Sequence, residues 1–176
     1  MQDLDIRDVS ILDALPAYLF EPAVLTVGCG KGRIEWHMTH MGYDVLATDV
    51  YRAVVWEDTS ELKFELLDIL ADIDYEKYSR PIVVCSEVLE HIKNYKKALE
   101  NLVKLASIRL IITVPFERSF WSPDHINTWD DSTVGEFYKL CKPYSVSISK
   151  IRTKPRDVEL KQWCYLIVVD KRQCYE

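Results

Sequence analysis

Val24-Leu25-Thr26-Val27-Gly28-Cys29-Gly30-Lys31-Gly32-Arg33 decides how the rest of this chain is read. An apolar run halts at Gly28, alternate glycines let backbone approach a ligand closely, and a helix is expected to begin near Lys31 with its amides turned toward that ligand. The next apolar run ends on Asp49, about 20 residues beyond the first glycine, an offset that puts a carboxylate at the tip of the neighbouring strand to accept from two ribose hydroxyls. The stretch reads as a nucleotide-cofactor cradle.

The third glycine narrows the cofactor. A dinucleotide fingerprint has glycine at the position of Arg33, so a pyrophosphate turn is disfavoured. The spacing is G-x-G-x-G, and V-L-x-V-G-C-G-x-G resembles the first motif of class I S-adenosylmethionine (SAM)-dependent methyltransferases, in particular the methyltransferase-11 and ubiquinone-biosynthesis O-methyltransferase group. One position departs: members usually carry Asp or Glu where Thr26 stands, an acid that helps to hold the methionine ammonium.

Composition sets outer limits. With 176 residues, 48% hydrophobic and 28% charged, the chain suits one globular domain with a substantial core. No apolar run is long enough to span a membrane, and Met1-Gln2-Asp3-Leu4-Asp5 lacks the start of a signal peptide, so a cytoplasmic protein without membrane partners is expected. Cys29, Cys85, Cys141, Cys164 and Cys174 include no C-x-x-C pair and are read as free thiols. A net charge of −6 argues against holding nucleic acid mainly through phosphates, although Lys150, Arg152, Lys154, Arg156 and Lys161 form a basic tail.

Alternating apolar segments and helical patterns predict a doubly wound sheet with helices on both faces. Strands are expected over residues 24–27, 44–50, 64–69, 81–85 and 110–115, the last two continuous apolar runs as in parallel strands covered on both sides. Helices are expected over 33–41 and 95–106, from about Ser132 as its cap to Cys141, and over Ser10 to Leu19, broken near Pro16. Residues 144–149 and 163–169 are joined by a loop too short for a crossover helix and should pair antiparallel. A Rossmann-like, seven-stranded, mostly parallel sheet with an antiparallel C-terminal hairpin is the class I methyltransferase arrangement. A single domain over 1–176 thus comprises a short helical segment (1–23), a core (24–169) and an acceptor loop (116–129).

The resemblance implies a cofactor site of Gly28, Cys29, Gly30 and Gly32 with Asp49 on the ribose, Val50, Asp68 and Ile69 about the adenine, and Ser86 beneath the sulfonium. Glu87-Val88-Leu89-Glu90-His91 has two readings beside a purely structural one. If the segment turns helically, Glu87, Glu90 and His91 share a face, and His125 from the following loop could complete a site for magnesium or manganese, as in metal-dependent O-methyltransferases and the enzymes that 2′-O-methylate small-RNA ends. Alternatively His91 or His125 removes the acceptor's proton, with Glu87 nearby. Phe120, Trp121 and Trp129 are expected to stack on the acceptor and Arg118 to pair with an acidic group on it. Ser86-Glu87-Val88-Leu89 stands where amino-methylating nucleic-acid enzymes carry a D-P-P-Y-like motif. Oxygen of a small molecule is therefore the expected acceptor, with RNA ribose or a catalytically silent SAM-binding module as alternatives; oligomeric state is left open.

Overall fold

In the computed structural model, described for residues 4–16, 22–52, 62–116, 122–153 and 162–174, the apolar run at Val24 forms the middle of a sheet. The strands are β1 (Ala23–Val27), β2 (Asp44–Asp49), β3 (Lys63–Leu66), β4 (Arg80–Ser86), β5 (Ala106–Pro115), β6 (Tyr144–Thr153) and β7 (Gln162–Cys174), in the order β3-β2-β1-β4-β5-β7-β6. The first five run parallel, and β7 lies antiparallel between β5 and β6. This is the expected fold class. No helix among the described residues is long and apolar enough to cross a membrane.

Side chains alternate faces along each strand, and the two faces carry different cores. Leu25, Val83, Cys85, Leu110 and Ile112 point to one side, against Ala98, Leu99, Leu102 and Leu105 of α4 (Tyr95–Leu105) and Phe137 of α5 (Glu136–Leu140). Val24, Val45, Ile82, Val84 and Ile111 point to the other, under Ile11 and Leu15 of the α1 region (α1, Ile6–Ala14) and Ile34 and Met38 of α2 (Arg33–His40). Each fully buried leucine contributes about 1.5–3 kcal/mol, so double-sided burial explains why β4 and β5 read as unbroken apolar runs. A short α3 (Tyr75–Tyr78) precedes β4.

Two helices start elsewhere than expected. Asp5 and Asp8 cap α1 reciprocally, the Asp5 carboxylate accepting from the Asp8 amide at 2.9 Å and the Asp8 carboxylate from the Asp5 amide at 3.0 Å. The helix therefore covers Ile6–Ala14 rather than beginning at Ser10, and it stops before Pro16. Before α5, Asp130 rather than Ser132 takes the loose amides, accepting from those of Ser132 and Thr133 at 2.8 Å each.

The chain leaves β1 toward β2 on one side and leaves β4 toward β5 on the other. Adjacent strands with diverging connections open a crevice at their carboxyl ends, which is where such sheets place ligands. Gly28 and Ser86–Glu87 lie there.

Candidate active site

The glycine turn is held by backbone and by Asp49. Gly28 takes φ of 76°, and a β-carbon on it would stand 2.2 Å from Cγ2 of Val88, so the turn admits no side chain there. Gly28 and Cys29 amides donate to the Thr48 carbonyl at 2.9 and 3.0 Å, which ties the turn to β2. The Gly30 amide donates to Asp49 Oδ2 at 2.9 Å, and the Val50 amide to Oδ1 at 2.7 Å. These bonds orient a nearly buried carboxylate at the strand tip. Gly32, with φ of 72°, turns the chain into α2.

Two cavities meet along this turn, sharing Val27, Gly28 and Gly30. The larger, about 610 Å³, contains Asp49, Val50, Asp68, Ile69 and His91 in its wall. Asp68 caps the following turn, its Oδ1 accepting from the Leu70 amide at 2.9 Å. The smaller, about 300 Å³, is walled by Cys29, Ser86 and Thr26, and by Arg7, Asp8 and Glu35, which the sequence did not single out. Ser86 Oγ shares a 2.8 Å hydrogen bond with Thr113 Oγ1. Burial pushes the Cys29 thiol far above its ordinary range, with Glu35 and Asp49 adding to the effect, so it is no nucleophile.

α1 closes the smaller cavity through ion pairs. Arg33 Nη2 lies 2.8 Å from the Asp8 carboxylate, and Arg7 Nη1 lies 3.4 Å from Glu87 Oε2. Glu87 adopts φ of 55°, so the segment does not turn as one helix; a single 3-10 turn, Leu89–His91, follows instead. That corrects the expected helical face. Glu87 is drawn toward Arg7, while Glu90, His91 and His125 present ligand atoms within 4.8 Å of one another.

The Glu90 side chain is 1% exposed, and both its carboxylate oxygens are buried without a hydrogen-bond partner. Burial, with the negative charge of Glu87 adding, pushes its carboxyl up to about 9. His91 Nδ1 approaches the Asp124 carbonyl at 3.2 Å and its carboxylate at 3.4 Å. Burial and neighbouring His91 hold His125 below the ordinary histidine value, so it is neutral near pH 7. One carboxylate, whose two buried oxygens have no hydrogen-bond partner, and two imidazoles fit a hard divalent cation.

The acceptor loop is placed in part. Amides of Ile126 and Asn127 donate to the Glu90 carbonyl at 2.7 and 3.0 Å, and Asn127 Nδ2 donates to the carbonyls of Leu89 and Ile92 at 2.8 Å each. The loop is thus stitched to the 3-10 turn. This directs Trp129 inward: it is 1% exposed, edge-on to Tyr95 at 5.4 Å and tilted against Phe137 at 6.0 Å. It is a core ring, contrary to the stacking role expected for it. Arg118, Phe120 and Trp121 lie outside the described residues, as do Lys154, Arg156 and Lys161. Lys150 is engaged by Asp131 at 3.2 Å and sits over the Phe116 ring, so only the exposed Arg152 is left from the described part of the basic tail.

Residues 25–107 match the family described as a methyltransferase domain, Methyltransf_11. The ubiquinone biosynthesis O-methyltransferase of Rickettsia bellii (strain OSU 85-389) is 26% identical over 181 residues, covering 95% of this chain and 70% of that protein. The fold matches the magnesium protoporphyrin IX methyltransferase (ChlM) of Synechocystis PCC 6803 with bound S-adenosylhomocysteine (SAH), at a TM-score of 0.69 and 17% identity over 94% of this chain and 82% of that one. It also matches the methyltransferase domain of bacterial CtHen1-CN at a TM-score of 0.70 and 15% identity, covering 93% and 97%. With the glycine turn, the strand-tip acid and the sheet order, these likenesses define a class: the fold is that of class I SAM-dependent methyltransferases, and residues 25–107 within it match a methyltransferase domain. It is a SAM-dependent methyltransferase, with SAM as the methyl donor.

Proposed function

We propose that this chain transfers the methyl group of SAM to an oxygen of a small-molecule acceptor. The observation that carries the reading is the grouping of Glu90, His91 and His125 beside the cavity that holds Asp49 and Asp68. Asp49 accepts from the ribose hydroxyls, Val50 and Ile69 flank the adenine, Asp68 takes its amino group, and the sulfonium faces the backbone of Cys85 and Ser86. The acceptor then approaches over the Glu90–His91–His125 group. Methyl transfer from a sulfonium displaces a neutral thioether, so alignment of oxygen, carbon and sulfur supplies much of the acceleration. The remaining requirement is removal of the hydroxyl proton, which, where no cation is bound, a neutral imidazole facing the acceptor accepts. Glu90, His91 and His125 would hold a divalent cation such as Mg or Mn, whose chemistry when bound is to lower the pKa of an acceptor oxygen. The similarity to ubiquinone biosynthesis O-methyltransferases favours a phenolic or related small acceptor.

The test is methyl transfer from labelled SAM to catechols, phenols and short RNAs, with and without manganese, alongside SAH titration. Turnover on a phenol supports the reading. Transfer confined to RNA 3′ ends moves the acceptor to ribose, and SAH binding without turnover makes the chain a regulatory module. No binding of SAM or SAH overturns the proposal. Manganese is expected to raise the melting temperature and to lose that effect in Glu90→Ala and His125→Ala; an unchanged melting curve rejects the metal.

A further inference from the structure

Thr26 is the point at which the glycine-turn motif departs from that of the methyltransferases it resembles, which usually has an acid there for the methionine ammonium. An ammonium taken out of water still needs a negative partner. The smaller cavity offers one from another element. Glu35, in the first turn of α2, is 2% exposed and shares that cavity wall with Thr26. Its Oε2 is buried without a hydrogen-bond partner, and the buried Thr26 hydroxyl beside it favours the ionised carboxylate. The other acid in the wall, Asp8, is already engaged by Arg33 at 2.8 Å and by the Asp5 amide at 3.0 Å.

We propose that Glu35 accepts the α-ammonium of SAM in this chain, a carboxylate supplied from α2 in place of the one that β1 lacks. The assignment rests on the reading that this groove takes SAM. Helical side chains lean toward the N-terminus of their helix, which directs Glu35 back over the end of β1. A threonine at 26 leaves the carboxylate room and avoids a second like charge in a small cavity. The same cavity contains Arg7 and Arg33, whose charge suits the carboxylate at the other pole of an amino acid. Charged and titratable groups facing Glu35 or sharing its cavity are Asp8 of α1, Asp49 of β2, Cys29 and Lys31 in the turn and the two arginines. Burial pushes the Glu35 carboxyl up to about 7, with Asp8 and Asp49 adding, so an arriving ammonium draws it into the ionised form and frees a proton.

SAH and 5′-methylthioadenosine separate this assignment from the cofactor reading, because the second ligand keeps the adenosine and lacks the amino-acid end. In titration calorimetry on the full chain, Glu35→Gln is expected to bind SAH about 10- to 100-fold more weakly than the wild type, the effect of losing a charge-assisted hydrogen bond, and methylthioadenosine equally well. Returning the acid to the strand, in the double variant Thr26→Asp with Glu35→Ala, is expected to recover most of the lost SAH affinity. The wild type should also release protons on binding SAH near pH 7, read from the dependence of the heat on buffer, and none on binding methylthioadenosine. SAH affinity unchanged in Glu35→Gln, or no proton release in the wild type, overturns the assignment and leaves the cofactor reading standing. Failure of the wild type to bind either ligand overturns both. Should Glu35→Gln not fold, the wild-type proton release decides alone.

Discussion

Without cofactor, the Glu35 carboxyl is a source of pH-dependent instability, and its size follows from its burial. Its ordinary value of 4.5 is raised to about 7 in the folded chain, so the folded state keeps a proton that the unfolded state releases between those limits. Below 4.5 both states are protonated and Glu35 adds no pH dependence; from there stability falls as pH rises, and the loss is complete above about 7. At roughly 1.4 kcal/mol per pH unit, the full loss is about 3 kcal/mol, enough to lower the melting temperature by roughly 10 °C in a chain of this size. Glu35→Gln removes the titration and keeps the shape. Urea unfolding of ligand-free wild type and variant, from about pH 5 to about pH 8, should therefore diverge steadily, with the variant gaining as pH rises. Reading the difference between the two proteins cancels the separate contribution of Glu90, whose carboxyl is also raised. Saturating SAH should abolish the divergence, because an ionised Glu35 is then paired. A wild-type-minus-variant difference that stays flat with pH would refute burial of an unpartnered carboxylate at this position.

Three further perturbations test other parts of the site. Gly28→Ala puts a β-carbon 2.2 Å from Val88 Cγ2 at φ of 76°; it should cost about 1–3 kcal/mol in thermal unfolding and abolish SAH binding, and adding Val88→Ala should relieve only the clash. Asp49→Asn offers a donor to one of two amides that now donate to it, at Gly30 and Val50; SAH and methylthioadenosine affinities should both fall about 10- to 100-fold by calorimetry, whereas the Glu35 variant spares the second ligand. Trp129→Ala should destabilise the chain by about 3–5 kcal/mol in urea, because the ring is packed against Tyr95 and Phe137. A stable Trp129 variant with impaired turnover would instead restore a role at the acceptor.

The parts of this fold that could be read from sequence are those where one local rule and the tertiary environment agree. β4 and β5 are covered on both faces, so their apolar runs have one interpretation, and the stripe of Ala98, Leu99, Leu102 and Leu105 matches the single buried side of α4. The glycine turn was readable because no side chain fits at Gly28. Glu87 was misread for the opposite reason. Helical spacing places it with Glu90 and His91, but its backbone takes a left-handed turn that no residue type at that position announces, and the carboxylate goes to Arg7 some 80 residues earlier. Trp129 shows the same limit, since an aromatic side chain in a loop has one appearance in sequence whether it stacks on a ligand or seals the core. Its direction is set by Asn127, whose side-chain bonds to Leu89 and Ile92 are invisible to periodicity. Glu35 differs from both, because a signal existed. An acid lies beside Ile34 on the buried side of α2, in a chain whose first strand lacks the acid that its motif usually carries. Neither departure from pattern means much alone. Taken as a pair they are complementary in charge, and the structure brings them to one cavity, where the displaced carboxylate can meet the same cationic group.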